Sequence, residues 1–195
     1  MGADGSKMGV AAMSIVSGIQ KEDIDKLRVS FQACSDRSGG NKDVFREDFD
    51  NSVKSLDKLD PSDAELFDKL FILLDESGEN KVDIRDFLVA ASLLVNYSTS
   101  AEKLKFAFTV FDDGETGSIF ALDCRKVLSI INSTASFFGD AVLTAAEIKD
   151  LVDAIWLECS IPSAPLTYAD HVDFIVNHEI SMRFCNGQGT VRFEN

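Results

Sequence analysis

Apolar residues recur at intervals of three and four along much of the chain. Leu66, Leu70 and Leu74, with Phe67 and Phe71, form one wide stripe; Leu104, Phe108 and Phe111 form a second, and Val127, Leu128 and Ile131 a third. A period near 3.6 places such positions on one face of a helix, so these segments predict amphipathic helices that bury one side. Ser62 with Glu65, Thr99 with Glu102, and Thr144 with Glu147 stand just ahead of apolar segments, at the spacing of a capping box. The pattern predicts an all-α chain whose helices are separated by short polar runs.

One such run carries candidate chemistry. Residues 70–88, LFILLDESGENKVDIRDFL, set oxygen-bearing side chains at alternate positions of a twelve-residue loop between two amphipathic segments. With Asp75 at position 1, the candidate metal ligands are Asp75, Ser77, Glu79, the carbonyl of Lys81, Asp83 through a water, and Asp86 at position 12. Val82 at position 8 supplies a strand contact to a partner loop. Residues 104–128 repeat the pattern, with Asp112, Thr116, Ser118 and Asp123 as candidate ligands and Ile119 at position 8. Gly117 provides the sharp turn there, and Asn80, which tolerates the left-handed region well, provides it in the earlier loop. Gly114 removes one side-chain ligand from the later loop, so its affinity should be the lower of the two. Position 12 is Asp in both, one methylene shorter than Glu, so a single oxygen is expected there and magnesium should compete with calcium.

These residues carry a resemblance to the EF-hand superfamily, which extends along the chain. Residues 31–53 hold a Phe pattern with Val44 at position 8, but the long separation from Phe31 suggests a lengthened, ligand-poor loop 1. Residues 151–176 hold Leu166 at position 8 and Asp170 at position 12, while Cys159, Ile161 and Ser163 stand where carboxylates belong. The resemblance implies a two-lobe EF-hand protein with four hand-like units, two of them degenerate. Expected boundaries are a flexible segment 1–20, lobes 21–96 and 97–185, and a tail 186–195. A polar joint at 96–100 separates the lobes, and 132–143 is a second, longer connector in which Phe137 and Phe138 pack on a lobe or meet a partner.

Composition narrows the function. A net charge of −14 repels nucleic acid and anionic lipid and favours cationic partners. The apolar runs fall short of a membrane span and no secretory leader is evident, so an intracellular, cytoplasmic location is expected. Gly2 and Ser6 match a myristoylation pattern, and membrane contact is expected only if Gly2 is acylated. Cys34, Cys124, Cys159 and Cys185 lack zinc spacing, yet three of them adjoin loops that oxidation would reach. His171 and His178 have no matching ligands and read as ordinary helix residues. No nucleophile, base and orienting group can be placed together, so an enzyme is not expected.

Only four Met accompany fifteen Phe, and three of the Met lie among the first thirteen residues. The grooves are therefore built of Phe, Leu and Ile, which suits one committed partner better than many. Residues 147–152 (EIKDLV), 166–170 (LTYAD) and 180–184 (ISMRF) resemble the calaxin group and the calcium-binding subunits of outer dynein arm docking complexes. That resemblance implies an adaptor of a cilium or flagellum axoneme, binding Ca2+ or Mg2+ and gripping a helix or coiled coil of a microtubule-associated dynein docking subunit. The alternative is a myristoylated neuronal-calcium-sensor-like or calcineurin-B-like regulator at membranes.

Overall fold

The computed structural model describes residues 9–56, 58–95, 99–140, 143–159 and 164–177. After helix α1 (Val10–Val16), four helix–loop–helix units follow in order. They are α2 (Lys21–Arg37), β1 (Asp43–Phe45) and α3 (Arg46–Lys54); α4 (Pro61–Leu74), β2 (Lys81–Asp83) and α5 (Ile84–Ser92); α6 (Ser100–Phe111), β3 (Ser118–Ile119) and α7 (Ala121–Phe137); and α8 (Ala145–Glu158), β4 (Leu166–Thr167) and α9 (Tyr168–Asn177). The short strands join the units in antiparallel pairs, Val44 opposite Val82 and Ile119 opposite Leu166. The position-8 residues therefore face one another, as their apolar character predicts.

The helical stripes close on an aromatic core. Phe87 lies 5.8 Å from Phe31, 4.9 Å from Phe49 and 5.9 Å from Phe67, in edge-on arrangements that favour the ring quadrupoles. Burial of each of these rings is worth about 1.5–3 kcal/mol. The apolar cluster continues from Phe87 and Leu94 through Leu104 and Phe108 to Val127, Leu151 and Ile175.

Two of the three expected capping boxes form. The Thr99 N–H donates to Glu102 Oε2 at 2.7 Å and the Thr144 N–H to Glu147 Oε2 at 2.7 Å, each with the reciprocal bond at 3.2 Å. The third does not: Asp60 caps α4, accepting from the Ser62 N–H at 2.9 Å, with Pro61 in the first turn. Pro61 has no N–H and a helical φ, so it opens the helix, and Ser62 is already inside it.

Loop 1 is not lengthened. Helix α2 runs on to Arg37, and Ser38 to Asp43 is no longer a stretch than Asp75 to Lys81 of loop 2; the extra residues after Phe31 are helical. The connector expected at 132–143 is likewise helix as far as Phe137, because α7 continues, and Phe137 packs edge-on against the buried Phe138 at 5.2 Å. Asn132 then closes the α7–α8 turn, its amide exchanging two hydrogen bonds with the Leu143 backbone at 2.8 and 3.0 Å.

Residues 10–20 have more structure than their weak period suggests. The Val10 N–H donates to Asp140 at 2.8 Å and the Gly18 N–H to Asp63 at 3.1 Å, which ties α1 to the end of α7 and the start of α4. Ile19 is wholly buried. Gly2, Ser6, residues 96–98, Ile161, Ser163, residues 180–184, His178, Cys185 and the tail 186–195 lie outside the described residues.

Candidate metal centres

Loop 2 begins at the C-terminus of α4, where carbonyls point forward and Asp75 turns the chain. Asp75 Oδ1 accepts from the Glu79 N–H at 3.1 Å and from Ser77 Oγ at 3.2 Å, and Oδ2 accepts from the Asn80 N–H at 2.9 Å. Asn80 sits at φ 58°, the left-handed turn that position 6 requires. The oxygens of positions 1 and 3 thus stand together, with the backbone N–H groups of positions 5 and 6 closing the turn, and both are of the hard-oxygen type that calcium and magnesium take.

The side chains of Glu79, Asp83 and Asp86 are paired with basic groups. Glu79 Oε2 lies 2.9 Å from Lys81 Nζ, which also reaches Asp43 at 3.3 Å. Asp83 caps α5 through the Arg85 N–H at 2.8 Å and pairs with the Arg85 guanidinium at 2.8 Å. Burial pushes the Asp83 carboxyl upward, but the bonds from Arg85 outweigh it and hold the group below the usual range. Asp86 Oδ1 lies 2.9 Å from Lys126 Nζ, which also approaches Asp83 at 3.5 Å. That ion pair is off the line of a hydrogen bond, so Oδ1 is buried with charge beside it but no hydrogen-bond donor. Burial, reinforced by the charge of Asp83 and opposed by Lys126, raises the Asp86 carboxyl above its usual range.

Loop 3 starts in the same way and is better covered. Asp112 Oδ1 accepts from the Thr116 N–H and hydroxyl, both at 3.0 Å, and Oδ2 from the Gly117 N–H at 2.7 Å. The Tyr168 hydroxyl adds a fourth bond at 3.3 Å, and the Tyr168 N–H donates to the Gly117 carbonyl at 3.2 Å. Burial would raise the Asp112 carboxyl, but these donors together hold it below its ordinary value. The Ser118 N–H donates to Thr116 Oγ1 at 3.2 Å. Asp123 stands in the first turn of α7, half-buried, without an ion pair among the described residues.

Loop 1 lacks this frame, and loop 4 has no carboxylate at its first position. With Val44 at position 8, Arg37 and Asp48 take positions 1 and 12 of loop 1 and pair with each other at 3.5 Å, a guanidinium standing where the first carboxylate would be. In loop 4, Cys159 is the C-cap of α8. Among the described residues no three His, Cys, Asp or Glu side chains converge as a preformed metal cluster. The frames of loops 2 and 3 fit a hard cation at their leading halves, while the closing carboxylate of loop 2, Asp86, is paired with Lys126.

Spacing along the chain does not mark two of the residues that shape these loops. Tyr168 has a faint signal, standing two places beyond Leu166, whose strand meets loop 3. Lys126 has none, because its role depends on how α7 packs against α5. Cys124 is wholly buried and burial pushes its thiol up to about 12, which suppresses the thiolate that oxidation needs.

No family model matches the chain. It is 29% identical over 118 residues to calcineurin B of Schizosaccharomyces pombe, covering 60% of this chain and 63% of that one. It is 28% identical over 169 residues to calcineurin B of Candida glabrata, covering 75% and 92%. Calcium-binding protein K of Dictyostelium discoideum matches at 27% over 129 residues, 65% and 64%. Lysophosphatidylcholine acyltransferase 1 of Rattus norvegicus matches at 31% over 90 residues, which is 16% of its length. The chain thus spans less than two thirds of several of these relatives. The helical architecture and these relatives fit an all-α EF-hand fold, and the names calcineurin B and calcium-binding protein indicate the EF-hand superfamily.

Proposed function

We propose that this chain is a calcium-responsive, non-catalytic EF-hand protein that holds a basic amphipathic helix of a larger protein. The observation that carries the reading is the pair of leading Asp frames, Asp75 and Asp112, each closed by backbone N–H groups in a chain similar to calcineurin B. A partner has material to meet: Ile72, Phe120, Leu122 and Leu157 are large apolar side chains left exposed. A net charge of −14 favours a cationic helix, in the helix-in-groove mode. Calcium fills loop 2 more tightly than loop 3, and magnesium competes at both because position 12 is Asp. The chain works in the cytoplasm.

Tagged protein purified from cells in calcium and in chelator, with the co-purifying chains identified, tests this. A large chain retained through a basic helix supports it, and a chain that purifies alone under both conditions overturns it. The second reading, an axonemal adaptor for dynein docking subunits, is favoured by the stretches 147–152 and 166–170. Recovery of docking subunits in both calcium and chelator selects that reading, and recovery with membranes through an acylated Gly2 selects a membrane sensor.

A further inference from the structure

Every acidic side chain of loop 2 beyond Asp75 and Glu76 already has a basic partner. Glu79 has Lys81, Asp83 has Arg85, and Asp86 has Lys126. The first two partners are neighbours within the same unit. Lys126 is different, because it comes from α7, the outgoing helix of the third unit, forty residues along the chain from Asp86.

Its surroundings form a junction between units. Helices α5 and α7 pack together, and both meet α6, which carries Phe111. The Lys126 ammonium stands 5.4 Å from the centre of the Phe111 ring and the Arg85 guanidinium 4.9 Å from it. Arg85 also reaches Asp113 at 3.9 Å, and Lys42 of loop 1 pairs with the same carboxylate. The position-12 carboxylate that a loop-2 cation needs is thus the one that α7 uses to hold α5. Asp86 Oδ1 is buried with unused acceptor capacity, which a divalent ion meets and the misaligned ammonium does not.

We propose that Lys126 is a tethered cation that a divalent ion must displace from Asp86, so that filling loop 2 releases helix α7 from helix α5. A divalent ion and the Lys126 ammonium on one carboxylate repel each other, so occupancy of the loop opposes the α5–α7 ion pair. The coupling is reciprocal: whatever pulls α7 from α5 raises the cation affinity of loop 2. The inference rests on loop 2 being a cation site.

The test is calorimetric titration of the full chain with calcium chloride, using Lys126→Met and Lys126→Gln, with Asp75→Ala to identify the heat of loop 2. Both Lys126 variants should tighten the loop-2 component about fivefold and leave loop 3 unchanged, the scale of a partly exposed ion pair. Hydrogen exchange should show calcium loosening residues 121–137 in the native chain, whereas in the variants that segment already exchanges a few-fold faster before calcium is added and calcium changes it less. An Asp75-dependent heat with unchanged or weaker affinity in both variants overturns the proposal while leaving the cation site intact. Absence of any Asp75-dependent heat overturns the cation site and the proposal with it.

Discussion

Loops 2 and 3 open alike: Asp75 and Asp112 each accept two backbone N–H bonds at the C-terminus of a helix, from Glu79 and Asn80 and from Thr116 and Gly117. They differ in what surrounds them. Asp112 is buried and bonded by Tyr168 from the paired loop, whereas Asp75 is half-buried and the closing carboxylate of its loop is committed to Lys126. Equal spacing of oxygen ligands therefore does not yield equal sites. Loop 3 is braced by its neighbour, and loop 2 is restrained by a competing cation.

The largest expected break in this comparison is in stability without metal. Asp112→Ala should destabilise the chelated protein by about 2 kcal/mol, since it strands the buried Tyr168 hydroxyl and two N–H groups, while Asp75→Ala should cost about 1 kcal/mol because water replaces its bonds. Urea denaturation in chelator measures both, and equal losses would remove the distinction. Next comes the length of the last ligand. Asp123→Glu should raise calcium affinity at loop 3 about tenfold by adding a second oxygen, a gain near 1.4 kcal/mol. Asp86→Glu should gain only about threefold, because Lys126 competes for the longer carboxylate too. Calorimetry in the presence of magnesium decides between unequal and equal gains.

Removing one hydroxyl sharpens the contrast further. Tyr168→Phe should lower the stability of the chelated protein by about 0.5–1 kcal/mol and weaken calcium at loop 3 while leaving loop 2 as it was. A shift at loop 2 would mean that the two loops are not separately braced. The smallest effect concerns thiols. Cys124, beside position 12 of loop 3, should resist alkylation in the native chain at pH 8, well below the value of about 12 to which burial pushes it, while the half-buried Cys34 and Cys159 react first. Mass spectrometry after timed alkylation reads the order, and early labelling of Cys124 would show loop 3 to be open.

What the sequence determined by itself was local. The 3.6-residue period located the helices, alternate oxygens located loops 2 and 3, and Thr99 and Thr144 marked two helix starts, because each of these depends on residues within one or two turns. That Val82 and Ile119 at position 8 would each meet a neighbouring loop was legible too, since an apolar residue in a polar loop has to be covered, and they meet Val44 and Leu166. Where two local signals competed, at Asp60–Pro61 and Ser62, the missing N–H of proline decided the helix start. The length of α2, the continuation of α7 through residues 132–137 and the docking of α1 on Asp63 and Asp140 came from packing against distant elements. Tertiary structure alone decided that Tyr168 bonds Asp112 and that Lys126 faces Asp86. The charge around a carboxylate depends on which helices meet there, and residues forty or more places apart carry no spacing that announces it.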